Sequence, residues 1–194
     1  MPDIDIDFAN RELALAQVKH VIARLDSDKK HNTGVYVQPI PCDPISRLST
    51  IDYKTAEDRG YFKLDFLNVS IYNGVRDKAH LKQLMETEPV WDLLEDDEFV
   101  NLLFHVNGHG SILRQMKPRS IPQLASILAM IRPAKRHLIG KDWKTVEQEV
   151  WIKPEGDDYF FKKSHAHSYA ALVVVHMNLL CEKIESGELT NPAN

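Results

Sequence analysis

Residues 2–8 read Pro-Asp-Ile-Asp-Ile-Asp-Phe, an alternation of acidic and apolar side chains with period two. On an extended strand the side chains at i, i+2 and i+4 point the same way. Asp3, Asp5 and Asp7 therefore share one face, and Ile4, Ile6 and Phe8 share the other. Such a segment is expected to be a β-strand. Same-face neighbours are about 7 Å apart, so the three carboxylates repel one another, yet one or two hard cations can bridge them. An ordinary solvent-facing strand would mix Lys and Thr with Asp, because Asp is depleted in strands.

A second segment has the same logic. In Phe62-Lys63-Leu64-Asp65-Phe66, Lys63 and Asp65 point together and Leu64 points away. Taken by itself, Asp65 reads as one half of an ion pair with Lys63. If the strand lies beside residues 2–8, however, Asp3, Asp5 and Asp65 form a carboxylate cluster able to hold two Mg²⁺ ions, with Mn²⁺ as a substitute. That is the apparatus of in-line phosphoryl transfer.

The remaining pattern is strands early and helices late, which argues an α+β fold. Residues 10–24 place Leu13, Val18, Val21 and Ile22 at helical spacing behind Asn10 as a cap. Gly34-Val35-Tyr36-Val37 begins a strand that Pro39, Pro41 and Pro44 stop, and a further strand is expected near residues 48–53. Helices are expected over residues 75–87, 90–103, 111–117, 121–131, 143–150 and 166–185, punctuated by Pro89, Pro118, Pro122, Pro133 and Pro154. The expected division is 1–75, carrying the aspartate strands, and 76–194, a helical lobe packed on it.

Composition excludes several classes. The 194 residues are 43% hydrophobic and 27% charged, as in globular proteins and unlike disordered or collagen-like chains. The apolar runs at residues 121–131 and 169–180 fall short of the ~20 residues that cross a bilayer, so no membrane association is expected. The acidic amino terminus is unlike a secretory signal, which points to a cytoplasmic protein. Cys42 and Cys181 have no paired spacing, which argues against a disulfide framework or a zinc ribbon. The net charge of −4 hides a segregation: residues 86–98 hold seven acidic groups and no Lys or Arg. Residues 114–144 carry Arg114, Lys117, Arg119, Arg132, Lys135, Arg136, Lys141 and Lys144 against Asp142 alone. A block of that kind can follow a phosphate backbone, or form a solvated helical surface.

Phe161-Lys162-Lys163-Ser164-His165-Ala166-His167-Ser168-Tyr169 reads as a helix start capped by Ser164. Cations ahead of a helix amino terminus favour phosphate groups, so Lys163 and His165 are candidates for a triphosphate and Tyr169 for stacking on a base or sugar. His165 and His167, two apart, have the wrong spacing for zinc ligands on one helical face.

In this order, the segments resemble a known family. Met1-Pro2-Asp3-Ile4-Asp5-Ile6-Asp7-Phe8 resembles the palm motif of bacterial replicative DNA polymerases of family C, the DNA polymerase III alpha subunit. Lys30-His31-Asn32-Thr33-Gly34-Val35 is similar to that family's Lys-His-x-x-Gly-Val segment, and Phe62-Lys63-Leu64-Asp65-Phe66-Leu67 to its third-aspartate strand. Phe104-His105-Val106 through Lys117-Pro118 to Ile131-Arg132-Pro133 resembles the stretch leading to its Arg-Pro-Gly-Pro, and residues 161–170 its Phe-Asn-Lys-Ser-His segment. The resemblance spans residue 2 to about residue 178.

It implies a small palm sheet like that of the polymerase β nucleotidyltransferases, followed by a helical fingers-like lobe. Asp3, Asp5 and Asp65 match the catalytic, metal-holding aspartates. Lys63, Lys163, His165, Arg132 and Tyr169 would face the nucleotide. Arg114, Lys117, Arg119, Lys135 and Arg136 would contact DNA. The departures are equally specific. Ala134-Lys135 stands where relatives have Gly-Pro, His105 replaces a glutamine, and the family's phosphoesterase-like, helix-hairpin-helix and clamp-binding parts are not recognisable. The expectation is a minimal DNA polymerase that adds dNTPs to a primer 3′-hydroxyl on primer–template DNA, with low processivity unless a second polypeptide or a clamp supplies the missing parts. The alternatives are a non-catalytic palm-derived protein that binds DNA or a replication protein, and a nucleotidyltransferase acting on a non-DNA acceptor.

Overall fold

A computed structural model describes residues 4–155 and 161–189. The chain is mixed α/β and divides into two compact units, residues 1–74 and 75–194.

The first unit is built on a five-stranded mixed sheet. Its strands are β1 (Ile4–Phe8), β2 (Val21–Arg24), β3 (Lys30–Tyr36), β4 (Leu48–Asp52) and β5 (Leu64–Asn68), in spatial order β1-β5-β3-β2-β4. β1 runs parallel to β5, β5 and β2 run antiparallel to β3, and β2 runs parallel to β4. Ile6, Phe8, Leu64 and Phe66 pack with Leu15 and Val35, and the Phe8 and Phe66 rings lie 4.8 Å apart. Leu15 comes from α1 (Arg11–Ala16), which packs on β1 and β5. Ile6 and Phe8 of the amino-terminal alternation thus find their core, whereas Ile4, on the same face, stays exposed. The opposite face carries Ala23 and Tyr36, which pack with Ala56 of α2 (Tyr53–Asp58).

Asn10 caps α1, its side chain accepting from the Leu13 N–H, but the helix stops at Ala16. Residues 21–24, expected to continue it, form β2 instead. The apolar residues there satisfy both periods. The β-branched pair Val21-Ile22 and the fully buried Ala23 gain more as a strand laid against Tyr36 and Val35. β3 likewise begins at Lys30, four residues before the expected start, in a polar stretch that only its neighbours make a strand.

The second unit is helical among its described residues: α3 (Lys78–Glu86), α4 (Asp97–Leu102), α5 (Gly110–Met116), α6 (Ile121–Met130), α7 (Trp143–Glu149) and α8 (Lys163–Glu185). α6, started by the Ser120 cap and Pro122, is buried from Leu124 to Met130. It packs along α8 through Ala166, Ala170, Val173, Val174 and Met177. The single helix expected over 90–103 is split into a 3-10 turn (Trp91–Glu95) and α4, because the Asp96 carboxylate caps α4 by accepting from the Glu98 and Phe99 N–H groups. α3 is tied to α8 by polar contacts. His80 Nε2 lies 2.8 Å from Glu182, and the Asn178 amide donates to the Leu84 and Thr87 carbonyls at 2.8 Å each. Both cysteines are free thiols, and no described helix is long and apolar enough to cross a membrane.

Candidate functional site

The acidic strand face takes shape where β1, β5 and β3 meet. In the parallel β1–β5 ladder Asp5 stands directly opposite Asp65, and on the far side of β5 Asp65 is paired with Gly34. Partners in register present their side chains to the same face, so Asp5 and Asp65 lie side by side. Asp3 lies outside the described residues. Asp5 and Asp7 are exposed along the strand edge, while Asp65 is only 7% exposed. Surrounding protein and the charge of Asp5 push the Asp7 carboxyl up. Burial and the Asp7 charge in turn raise the Tyr72 phenol.

A buried carboxylate needs partners. Among the described residues Lys63 forms an ion pair with Oδ2 and Thr33 Oγ1 donates to Oδ1 at 2.7 Å, while His31 Nδ1 lies 3.8 Å from Oδ1 without a proton to give it. Thr33 and His31 arrive by an irregularity in β3. Ile22 pairs with Val35, yet Arg24, two residues on, pairs with Lys30, five residues back along β3. Residues 31–34 therefore stand opposite Ala23 alone and form a bulge. Its freed donors are satisfied locally, because His31 Nδ1 accepts from the Gly34 N–H at 2.9 Å and from the Thr33 N–H at 3.3 Å. Bulges of this kind re-aim side chains beside functional sites.

That use of Nδ1 as an acceptor places the His31 proton on Nε2. Burial, followed by the Lys63 charge, lowers the affinity of the ring for a second proton, against an opposing pull from Asp65. Gly34 completes the cradle, because a Cβ there would lie 2.8 Å from Lys63 Cδ. The stem of Lys63 crosses the sheet over the one residue with no side chain. Thr33 and His31 were not among the expected site residues. The signal for them was a glycine preceded by Asn-Thr inside a strand, which marks a bulge.

In the second unit α8 starts at Lys163 with Lys162 as its cap residue, which makes no side-chain cap bond. Ser164, the expected cap, lies inside the first turn instead, where its carbonyl accepts from Ser168 Oγ at 3.1 Å. Lys163 Nζ lies 6.0 Å from the centre of the Trp151 ring, and the Arg132 guanidinium 5.4 Å from that of Phe161. Tyr169 stacks on Phe161 at 5.8 Å and meets His105 edge-on at 4.4 Å. Burial and the Arg132 charge hold His105 below the usual imidazole range. Lys163, Arg132 and Tyr169 thus stand in an aromatic setting on one unit. His165 sits on the first turn of α8.

The charge segregation closes on itself. Arg114 pairs with Asp97, Lys117 Nζ lies 2.7 Å from Glu95, and Arg119 reaches Asp92 at 2.7 Å and Glu95 at 2.6 Å. Lys135 is 6% exposed and donates to the Glu149 carbonyl at 2.7 Å, while Arg136 Nε donates to the Ile131 carbonyl at 3.3 Å. The acidic stretch and the first part of the basic block are therefore mutual partners.

Among the described residues no three His, Cys, Asp or Glu side chains are gathered as a metal site. Asp5 and Asp65 fit two of the three expected positions, hard oxygen donors on adjacent strands. Comparisons with protein-family models, curated proteins and solved structures found no match. The class of molecule defined here is thus a mixed α/β chain with a carboxylate pair on its sheet.

Proposed function

We propose that the chain is a minimal nucleotidyltransferase that adds dNTPs to a primer 3′-hydroxyl, as its resemblance to family C polymerases implies. The observation that supports this most directly is the register of Asp5 against Asp65 on adjacent parallel strands, with Lys63 beside them. Asp5 and Asp65, with Asp3, would hold Mg²⁺, which supplies countercharge for the phosphoryl group in flight. In the reaction the hydroxyl oxygen gives its proton to solvent and bonds to the α-phosphorus, while the bond from that phosphorus to the bridging oxygen breaks and pyrophosphate departs. The chain's own residues position and neutralise. Lys63, now paired with Asp65, carries the ammonium nearest the carboxylates and faces the triphosphate once Asp65 is otherwise neutralised. Thr33 holds Asp65 in orientation. His31 has its Nδ1 committed to backbone N–H groups, so it orients the bulge and does not act as a base through that atom. Lys163, His165, Arg132 and Tyr169 are the nucleotide contacts that the resemblance implies for the helical unit.

One observation favours a second reading, a non-catalytic DNA- or replisome-binding protein. Lys63 already neutralises Asp65, so the buried carboxylate is satisfied without a metal ion. Primer extension by the purified chain with Mg²⁺ or Mn²⁺ separates the two, run beside Asp5→Asn and Asp65→Asn. Extension abolished by both substitutions is the expected result. DNA binding that persists without extension supports the second reading, and nucleotide transfer to RNA or to a protein hydroxyl would point to a non-DNA acceptor.

A further inference from the structure

Away from the carboxylate pair, the first unit contains a cavity of about 360 Å³ where the start of β2 and the end of β3 meet the loop 37–47. Small-molecule sites occupy roughly 300–1,000 Å³. Its wall is apolar at Tyr36 and Ile40, both buried in the sheet's second core cluster, and the half-buried thiol of Cys42 lies at its side. Lys19, His20 and Arg47 also line it, and among the described residues no Asp or Glu does. Arg47 adopts a left-handed backbone with φ 58°, uncommon for a residue with a side chain. Its guanidinium donates to the His20 carbonyl at 3.2 Å, which holds the cation against the cavity wall. The Tyr36 hydroxyl is buried without a hydrogen-bond partner, and burial with the charges of Asp52, Asp65 and Glu57 pushes it up to about 12. Tyr36 therefore contributes a neutral ring and no repelling charge.

We propose that this cavity binds a small apolar anion, an aromatic or aliphatic carboxylate or sulfonate whose hydrocarbon lies on Tyr36 and Ile40 and whose charge meets Lys19 and Arg47. The apolar wall favours hydrocarbon, since removing apolar surface from water is favourable in proportion to its area. Cations lining a cavity with no carboxylate select the sign of the ligand. The site is independent of the proposed transferase activity and is tested without it.

The probe is the dye anilinonaphthalene sulfonate, titrated into the full chain by fluorescence beside its uncharged relative phenylnaphthylamine. The expected result is one saturable site that prefers the sulfonate at least tenfold. Lys19→Glu and Arg47→Glu should each weaken the sulfonate at least fivefold with unchanged circular dichroism. If Arg47→Glu fails to fold because its bond to His20 is lost, the exposed Lys19→Glu decides. The dye should also slow iodoacetamide modification of Cys42 and leave that of Cys181 unchanged, read by peptide mass spectrometry. Absence of saturable binding, equal affinity for both dyes, indifference to Lys19→Glu, or equal protection of both cysteines would overturn the proposal.

Discussion

Replacing Lys63 tests whether its ammonium is what lets a carboxylate occupy the middle of this sheet. Asp65 is 7% exposed, and its two oxygens are held by Lys63 and by Thr33. At an effective dielectric of 20, two unit charges about 4 Å apart attract by about 4 kcal/mol. Removing one partner of a fully buried pair costs about 3–5 kcal/mol, because the other charge stays behind unpaired. The Lys63 and Asp65 side chains keep 18% and 10% of their exposure, so some water reaches the pair. Lys63→Met is accordingly expected to destabilise the first unit by about 2–4 kcal/mol. Asp65→Asn should cost less, since an amide oxygen still accepts from Thr33. The double variant should be more stable than the sum of the single losses predicts, with a coupling of about 2 kcal/mol. Trp91, Trp143 and Trp151 all belong to residues 75–194, so indole fluorescence reads the other unit. The assay is therefore amide hydrogen exchange at Val35 and Phe66 across a urea series. Lys63→Met should also tighten Mg²⁺ binding by calorimetry, because it removes a competing cation from Asp65. A coupling below about 0.5 kcal/mol, the value of exposed pairs, would refute the reasoning.

Gly34→Ala places a Cβ 2.8 Å from Lys63 Cδ and 3.0 Å from His31 Nδ1, and the same exchange experiment should show a loss of about 1–3 kcal/mol as Lys63 is driven off Asp65. His176 is held down to about 4 by burial and by Lys183, and its Nδ1 accepts from the Phe104 N–H at 3.2 Å. The unfolded imidazole takes its proton first, so the stabilisation is complete above pH 6.5 and is lost as pH falls toward 4. About 2 kcal/mol is expected for this partly solvated ring, and His176→Gln should flatten the urea midpoint against pH in tryptophan fluorescence. Asn178→Ala strips two carbonyl acceptors of their donor and should lower the stability of the helical unit by about 2–3 kcal/mol in the same readout.

The amino-terminal alternation was legible because one residue-level rule governs it. A period of two assigns Ile6 and Phe8 to the core, and the structure finds them there with Leu64 and Phe66. Helix positions were legible where caps and prolines mark them, as at Asn10 and at Ser120-Ile121-Pro122. Residues 21–24 were not, because four apolar-rich residues fit a helical stripe and a strand equally well, and only pairing with β3 separates the two. The cap of α8 failed for a related reason. A serine in a polar run can cap only if the chain turns just before it, and here the turn falls two residues earlier, at Lys162.

The site was legible to the extent that it is local. Lys63 and Asp65 share a face by their spacing alone, whereas Thr33 and His31 reach Asp65 only because β3 bulges, a property of two strands together. Charge shows the same limit. Glu95 and Lys117 stand 22 positions apart, and in one dimension they belong to opposed blocks, of which the basic one invites the reading of a phosphate-binding surface. α5 packs against the 3-10 turn at Trp91–Glu95 and against α4, which folds the blocks onto each other. Asp92, Glu95 and Asp97 then meet a guanidinium or ammonium. Exposed pairs of this kind add little stability, 0–1 kcal/mol in typical cases. They do cancel the local potential that would draw a phosphate backbone. Any nucleic-acid affinity of this chain must therefore come from cations other than Arg114, Lys117 and Arg119, or from breaking those pairs.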